Sequence, residues 1–168
     1  VERLAPHYQL HLVDLPGHGF SHDDTTPLAL PHVVAAIAAA TPAAVWVGWS
    51  LGGLFALHAA ATQPQVRALA MIAATPRFVR GSDWPDAVER EVFVQFGQDL
   101  ARDYRGTLDR FLALDTLGSA HARSELRSLR ETLTARGEPA ASALQDGLGL
   151  LERTDLRRAL ATLARPSL

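Results

Sequence analysis

The chain has 168 residues, of which 48% are hydrophobic and 20% charged, and its formal net charge is −2. This composition is ordinary for a soluble globular protein, and the charge excludes a globally basic nucleic-acid binder. No apolar run is long enough to cross a bilayer and no signal-peptide pattern is present, so we expect a cytoplasmic protein. The absence of cysteine excludes disulfides, a thiolate nucleophile and a cysteine-bound metal.

Strand-like and helix-like segments alternate in the first part of the chain. Residues 8–14 alternate and then run apolar, which predicts a strand ending before a Pro-Gly turn. Four further elements are predicted in the order helix, strand, helix and strand, over residues 31–40, 44–48, 51–62 and 66–74. Such short βαβ spacing indicates a parallel sheet flanked by helices. We therefore predict an α/β fold with a core over residues 1–76.

The sequence changes in character at about residue 77. Charged residues become frequent, strand-like runs disappear, and apolar residues recur at intervals of three and four. This pattern predicts several amphipathic helices over residues 77–151, which we interpret as a lid inserted into the core. The chain then returns to the core over 152–168, with a helix predicted over 157–164 and the entry to a further strand after it.

The clearest catalytic motif is Gly-Trp-Ser-Leu-Gly at residues 48–52, between a predicted strand and a predicted helix. G-x-S-x-G in that position is a nucleophile elbow, in which Ser50 is strained and its hydroxyl projects above the strand ends. We expect the Leu51 backbone N–H to stabilise an oxyanion, and the flanking glycines to avoid clashes of a Cβ with strand or helix. The alternative is a glycine-rich turn that happens to contain serine. The strand–turn–helix context favours the elbow.

The base that would activate the serine cannot be assigned from the sequence. A serine nucleophile needs a histidine oriented by a carboxylate, in the chain order Ser, acid, His for this architecture. His18 precedes Ser50 and is interpreted as a loop residue. After Ser50 there are only His58, inside a predicted helix, and His121, among lid arginines. Asp155 follows as the one late aspartate near an expected strand boundary, but it precedes a helix.

Four stretches resemble the BioH family of pimeloyl-[acyl-carrier protein] methyl ester esterases, within the α/β-hydrolase superfamily: residues 10–17, 46–53, 83–85 and 110–114, the last with Thr116 and Gly118. The resemblance covers essentially the whole chain. It implies an α/β-hydrolase fold with an inserted helical lid, and an acyl-carrier protein that bears the substrate as partner. It implies no cofactor or metal, no nucleic acid and no membrane, and we expect a monomer.

The resemblance also implies roles for individual residues. Ser50 matches the nucleophile and Leu51 the oxyanion donor. Positions that match the acyl channel are Trp49, Phe111, Leu112, Ala113, Leu114 and Asp115, the last standing where the family would have an amide. Positions that match arginines contacting the carrier protein are Arg110, Arg123 and Arg127. The family's oxyanion loop, later acid and final histidine have no counterparts, so we expect a chain cut at both ends.

The residues of the lid agree in part with a carrier-protein partner. Arg123, Arg127 and Arg130 are spaced at four and three, so they share one helical face. Such a cluster suits an acidic carrier protein and its phosphate-bearing arm. The alternative is a solvated helix face, because Glu125 and Glu131 lie nearby.

The sequence therefore predicts a carboxylic ester hydrolase that acts on the methyl ester of pimeloyl-[acyl-carrier protein] in biotin biosynthesis. Two alternatives stay open. One is a general short-chain carboxylesterase or another α/β-hydrolase, such as a carbon–carbon bond hydrolase. The other is a non-catalytic fragment, because the acid and base of the triad are not assigned.

Overall fold

Two parallel strands joined by a buried helix form the centre of the computed structural model, which describes residues 1–115 and 122–168, leaving out the side chains of residues 115, 122, 123, 125 and 132–134. Strand β1 (Ala44–Trp49) pairs with β2 (Val66–Ile72), and Val45 to Trp49 lie opposite Ala68 to Ile72 in register. Helix α2 (Leu51–Thr62) connects them. This crossover confirms the predicted βαβ unit.

Helix α2 is buried on nearly every side because almost all of its residues are apolar or small. Leu54 and Leu57 have no exposed surface, and α1 (Leu30–Ala40) packs against α2 through the equally buried Val34. A helix that is hydrophobic around its whole circumference belongs inside a protein. Each fully buried leucine contributes about 1.5–3 kcal/mol of transfer free energy. The core therefore lies directly behind the turn that begins α2.

The far edge of β2 carries the start of a third parallel strand. The N–H of Leu69 donates to Pro166 O (3.0 Å), and that of Met71 donates to Leu168 O (2.7 Å). The entry to a further strand predicted at the end of the sequence is present. Strand β2 ends at Ile72, two residues earlier than predicted, because Ala73 has φ 47° and leaves the extended conformation.

The strand predicted over residues 8–14 is wrong, since this segment has no regular secondary structure. Its alternating pattern favours an extended backbone, but a strand also needs a neighbour that completes the ladder of hydrogen bonds. No such neighbour occurs among the described residues. Leu12 and Val13 are accordingly 69% and 48% exposed.

Residues after β2 form an irregular segment and then five helices in the described part of the chain: α3 (Arg90–Arg102), α4 (Tyr104–Asp115), α5 (Ala122–Ala135), α6 (Ala141–Arg153) and α7 (Arg157–Ala161). Helix α3 packs against α4 and α6, and α4 packs against α5. The carboxylate of Asp103 accepts from the N–H of Gly106 (2.9 Å), which starts α4 where α3 ends. Helix α7 is three residues shorter than predicted, and the Thr162 hydroxyl donates to Arg158 O (3.0 Å) at its end. None of these described helices is long and apolar enough to cross a membrane.

Candidate active site

Ser50 occupies the turn between β1 and α2 in a strained backbone conformation. Its φ is 50° and its ψ is −120°, values that a residue with a Cβ rarely adopts. The Ser50 N–H donates to Ile72 O on β2, and its carbonyl accepts from the N–H of Gly53, both at 2.9 Å. These bonds hold the strained residue at the carboxyl end of the sheet, as a nucleophile elbow requires.

The glycines around Ser50 differ in how strictly they are needed. A Cβ on Gly48 would lie 2.4 Å from Gly52 O and 2.6 Å from Gly53 Cα, so strand and helix approach too closely for any side chain. A Cβ on Gly52 would meet nothing within 4 Å, whereas one on Gly53 would lie 2.4 Å from the Cβ of Ala74. The steric expectation therefore holds for Gly48 and is wrong for Gly52. The second tight contact belongs to Gly53, outside the five-residue motif.

The start of α2 supplies the electrostatic part of the site. Leu51 is the first residue of the helix, so its backbone N–H has no acceptor inside the helix. The aligned peptide dipoles add partial positive charge at this end. An oxyanion that forms beside Ser50 would therefore meet a donor and a favourable field.

Helix α6 of the second half packs against the elbow. A Cβ on Gly147 would lie 3.0 Å from Leu51 Cδ2, so a small residue here allows α6 to approach the residue after Ser50. The carboxylate of Asp146 accepts from the N–H of Leu28 (3.0 Å), which ties the same helix to the segment before α1. Helix α6 is thus held against the core at the site.

The loop after residue 13 is also held by the second half of the chain. The carboxylate of Asp14 accepts from the N–H of Phe20 (3.0 Å) and from Nη1 of Arg136 (3.2 Å). The Arg136 guanidinium lies 5.0 Å from the centre of the Phe20 ring, a cation–π distance. The sequence predicted this loop as a tight turn but did not indicate Arg136, because 122 positions separate it from its partner.

With this geometry established, comparison with known proteins identifies the fold family. The model of the alpha/beta hydrolase family matches residues 1–166. The chain belongs to the alpha/beta hydrolase family. Two solved structures share the fold. An esterase from Exiguobacterium antarcticum matches with a TM-score of 0.77 and 17% identity, and the match covers 92% of this chain and 59% of that one. A hydrolase from Oleispira antarctica matches with a TM-score of 0.73 and 16% identity, and the match covers 99% of this chain and 63% of that one.

Relatives of high sequence identity carry a more specific name. A pimeloyl-[acyl-carrier protein] methyl ester esterase of Xanthomonas oryzae pv. oryzae is 88% identical over all 168 residues, which cover 66% of that relative. One of Stenotrophomonas maltophilia is 73% identical over the same residues, 65% of its length. The chain therefore spans just under two thirds of the length of these relatives. Their name agrees with the family predicted from the sequence motifs.

Among the described residues of this alpha/beta hydrolase chain, we assign no general base to Ser50. His58 lies eight residues along α2, about 12 Å from Ser50 by helical rise, and burial lowers the pKa of its imidazole. The Nδ1–H of His18 donates to Pro16 O (3.0 Å) within its loop, and Asp155 pairs with Arg157 (2.7 Å). His121 lies outside the described residues. The described residues also contain no group of three or more side chains suited to a metal ion.

The residues predicted to line the acyl channel lie in two places. Trp49 ends β1 beside Ser50 and is 52% exposed. Phe111 packs on Phe96 with ring centres 5.7 Å apart, and Leu112 is buried at the edge of a cavity of about 270 Å³ between α4 and α5. Ala113 and Leu114 are exposed, and the side chain of Asp115 is outside the description, as are Thr116 and Gly118. Their role toward an acyl chain stays a prediction.

The predicted carrier-binding arginines lie on α4 and α5. Arg110 is exposed, and its Nη2 donates to the hydroxyl of Thr107 (2.9 Å). Arg127 is exposed, and the side chain of Arg123 lies outside the description. Arg130, which shares their face by spacing, pairs with Asp109 at 2.7 Å. This ion pair offsets part of the positive charge that the sequence predicted for the face.

Proposed function

We propose that the protein carrying this chain is a serine carboxylesterase that hydrolyses the methyl ester of a pimeloyl group on acyl-carrier protein. The observation that carries the proposal is Ser50, held at φ 50° at a strand-to-helix turn with a helix N-terminus beside it. The name of the relatives at 88% and 73% identity supports the choice of substrate. Because the chain spans 66% of the first of them, the activity is proposed for the protein expressed from the full reading frame.

The proposed reaction proceeds through an acyl-enzyme. The Ser50 Oγ attacks the ester carbonyl carbon and gives up its proton to a general base, which is not assigned among the described residues. The carbonyl oxygen becomes an oxyanion that the Leu51 N–H stabilises. The bond to the methoxy group then breaks, methanol leaves with a proton, and an acyl-serine remains. Water attacks this ester, the Ser50 oxygen leaves and regains a proton, and the free carboxylate is released.

The first test replaces the nucleophile. In protein expressed from the full reading frame, Ser50→Ala should lower hydrolysis of the carrier-linked methyl ester by more than about 10³-fold, as removal of a catalytic serine does elsewhere. Ser142→Ala, at an exposed position of α6, is the matched control and should keep full activity. Full hydrolysis by the Ser50→Ala protein would contradict the proposal.

The proposal of a carrier protein as partner depends on the lid, which we propose spans residues 77–151. Arg110 and Arg127 are exposed there, and positive charge steers association with an acidic partner. We expect kcat/KM for the carrier-linked ester to exceed that for a free short-chain ester, and to fall as salt is added. Equal activity on both esters would favour a general short-chain carboxylesterase. A folded protein whose Ser50 does not react with a fluorophosphonate would favour a non-catalytic chain.

The proposed setting is a cytoplasmic monomer that needs no cofactor. The sequence contains no cysteine, so a reducing compartment leaves its covalent structure unchanged. The proposed chemistry uses only a serine, a proton acceptor and backbone donors, which explains why no bound group is required.

A further inference from the structure

Four charged side chains form a closed ring of alternating sign. The ring lies where the chain enters and leaves the helical region that contains α3 to α6. Arg157 Nη1 lies 2.9 Å from Asp83 Oδ2, and Asp83 Oδ1 lies 3.3 Å from Arg77 Nη1. Arg77 Nη1 lies 3.7 Å from Asp155 Oδ2, and Asp155 Oδ2 lies 2.7 Å from Arg157 Nη2. Each charge thus has two neighbours of opposite sign. We call these four side chains the root ring.

The root ring joins two segments that are far apart in the sequence. Arg77 and Asp83 lie on the irregular segment before α3, whereas Asp155 and Arg157 follow α6. Next to the ring, the N–H of Leu156 donates to Pro76 O at 2.8 Å. The region that contains the four helices α3 to α6 therefore begins and ends at the same place. The ring links the two ends of this region.

Trp84 closes one side of the ring. Its indole Nε1–H donates to Arg77 O (2.9 Å), and the Arg157 guanidinium lies 5.4 Å from the centre of the Trp84 indole. The side chains of the two arginines are only 23% and 26% exposed. Isolated surface ion pairs contribute little, but a forked arginine contact within a charge network is the recognised exception. Arg157 makes a forked contact with Asp155, donating from Nε to Oδ1 (2.9 Å) and from Nη2 to Oδ2 (2.7 Å), and its Nη1 also pairs with Asp83.

The ring also connects to the nucleophile through the end of β2. The Ser50 N–H donates to Ile72 O, and the Cβ position of Gly53 faces Ala74 at a distance that excludes a methyl group. Only Thr75 and Pro76 separate Ala74 from Arg77. The ring therefore lies within a few residues of the segment that touches the elbow.

We propose that Arg157 is a positioning residue that holds the two ends of the lid together beside the end of β2, close to the segment that touches the elbow, and so determines selectivity for long, carrier-borne acyl esters. The inference rests on the proposed esterase function. Arg157 does not act on the reacting atoms, so its loss should leave the chemistry of Ser50 intact. A lid held at only one end would instead bind a long acyl chain less well. The hydrogen bonds from Arg157 lower the pKa of both the Asp83 and Asp155 carboxyls, which agrees with tight pairing.

The test uses Arg157→Lys, which keeps the charge and loses the fork, in protein expressed from the full reading frame. We expect KM for the carrier-linked methyl ester to rise about tenfold, while kcat on a free short ester and fluorophosphonate labelling of Ser50 stay within about twofold. Arg158→Lys, at the exposed neighbouring position, is the control and should change neither. Equal losses on both esters would show a merely structural role and overturn the proposal.

Asp83→Asn provides a second variant of the root ring. The Asp83 side chain is 64% exposed, so this change should preserve folding. It should shift KM in the same direction, and an unchanged KM would count against the proposal. A third readout is trypsin cleavage after Arg80, which should accelerate in both variants. If the wild-type protein does not hydrolyse the carrier-linked ester, the proposed function fails, and unchanged cleavage would then overturn the role of the ring separately.

Discussion

Replacing Gly48 by alanine is the sharpest stability test that the elbow offers. The new Cβ would lie 2.4–2.6 Å from three backbone atoms of Gly52 and Gly53, where ordinary contacts begin at 3.4 Å. Backbone atoms cannot rotate away, so β1 and α2 must separate by about 1 Å to accommodate the methyl group. We expect the free energy of unfolding to fall by about 3 kcal/mol, at the upper end of the usual cost of overpacking.

Gly52→Ala is the matched control, because its Cβ would meet nothing within 4 Å. Alanine is the better helix former, so we expect a change between zero and about 1 kcal/mol of added stability. Urea unfolding measures both variants, and fluorophosphonate labelling reports whether Ser50 keeps its conformation. If Gly48→Ala lost less than about 1 kcal/mol, or Gly52→Ala lost as much as it, the steric reasoning would be refuted.

Two further predictions concern a second glycine and a histidine. Gly17 has φ 73° and its Cβ position lies 2.4 Å from Ala143 Cβ, so Gly17→Ala should lower stability by about 2–4 kcal/mol. Gly137→Ala, at φ 82° with open space, should lose only about 1–2 kcal/mol in the same urea assay, and equal losses would contradict the contact with α6. Burial lowers the pKa of His58 below 6.5, so the unfolded chain binds a proton first as the pH falls. The free energy of unfolding should therefore decline below about pH 6.5, and His58→Gln should lessen that decline. If the free energy of unfolding fell with pH in parallel for both proteins, this prediction would be refuted.

Local sequence features predicted the centre of this fold well. The boundaries of α2 and the position of β1 follow from apolar runs bounded by Pro64 and by the glycines of the elbow, and these signals lie within a few residues of the elements they define. The segment 8–14 has an equally clear pattern but is not a strand. Its state depends on a neighbouring strand, and periodicity contains no information about a partner distant in sequence.

The candidate site shows the same division between local and distant information. Ser50 and Leu51 could be predicted because the elbow is a continuous motif. Its tight backbone turn leaves no room for some side chains, and the sequence shows this as glycines beside the serine. The root ring could not, because Asp83 and Arg157 are 74 residues apart and each resembles an ordinary surface charge. Gly53 shows an intermediate case, since its neighbour Ala74 lies two residues beyond the end of β2 and only the packed structure reveals the contact.

The strain at the elbow must be compensated by the core behind it. In the described residues, Ser50 and Ala73 are the non-glycine positions with positive φ, and they follow the ends of the two paired strands. Each such residue costs about 1–2 kcal/mol, so this edge stores about 2–4 kcal/mol. Burial of Leu54 and Leu57 contributes about 1.5–3 kcal/mol each, which is of the size needed to offset the strain, and only while α2 stays packed. The reactive conformation of Ser50 therefore depends on core residues one and two turns along α2, and mutations there should lower labelling of Ser50 before they unfold the protein.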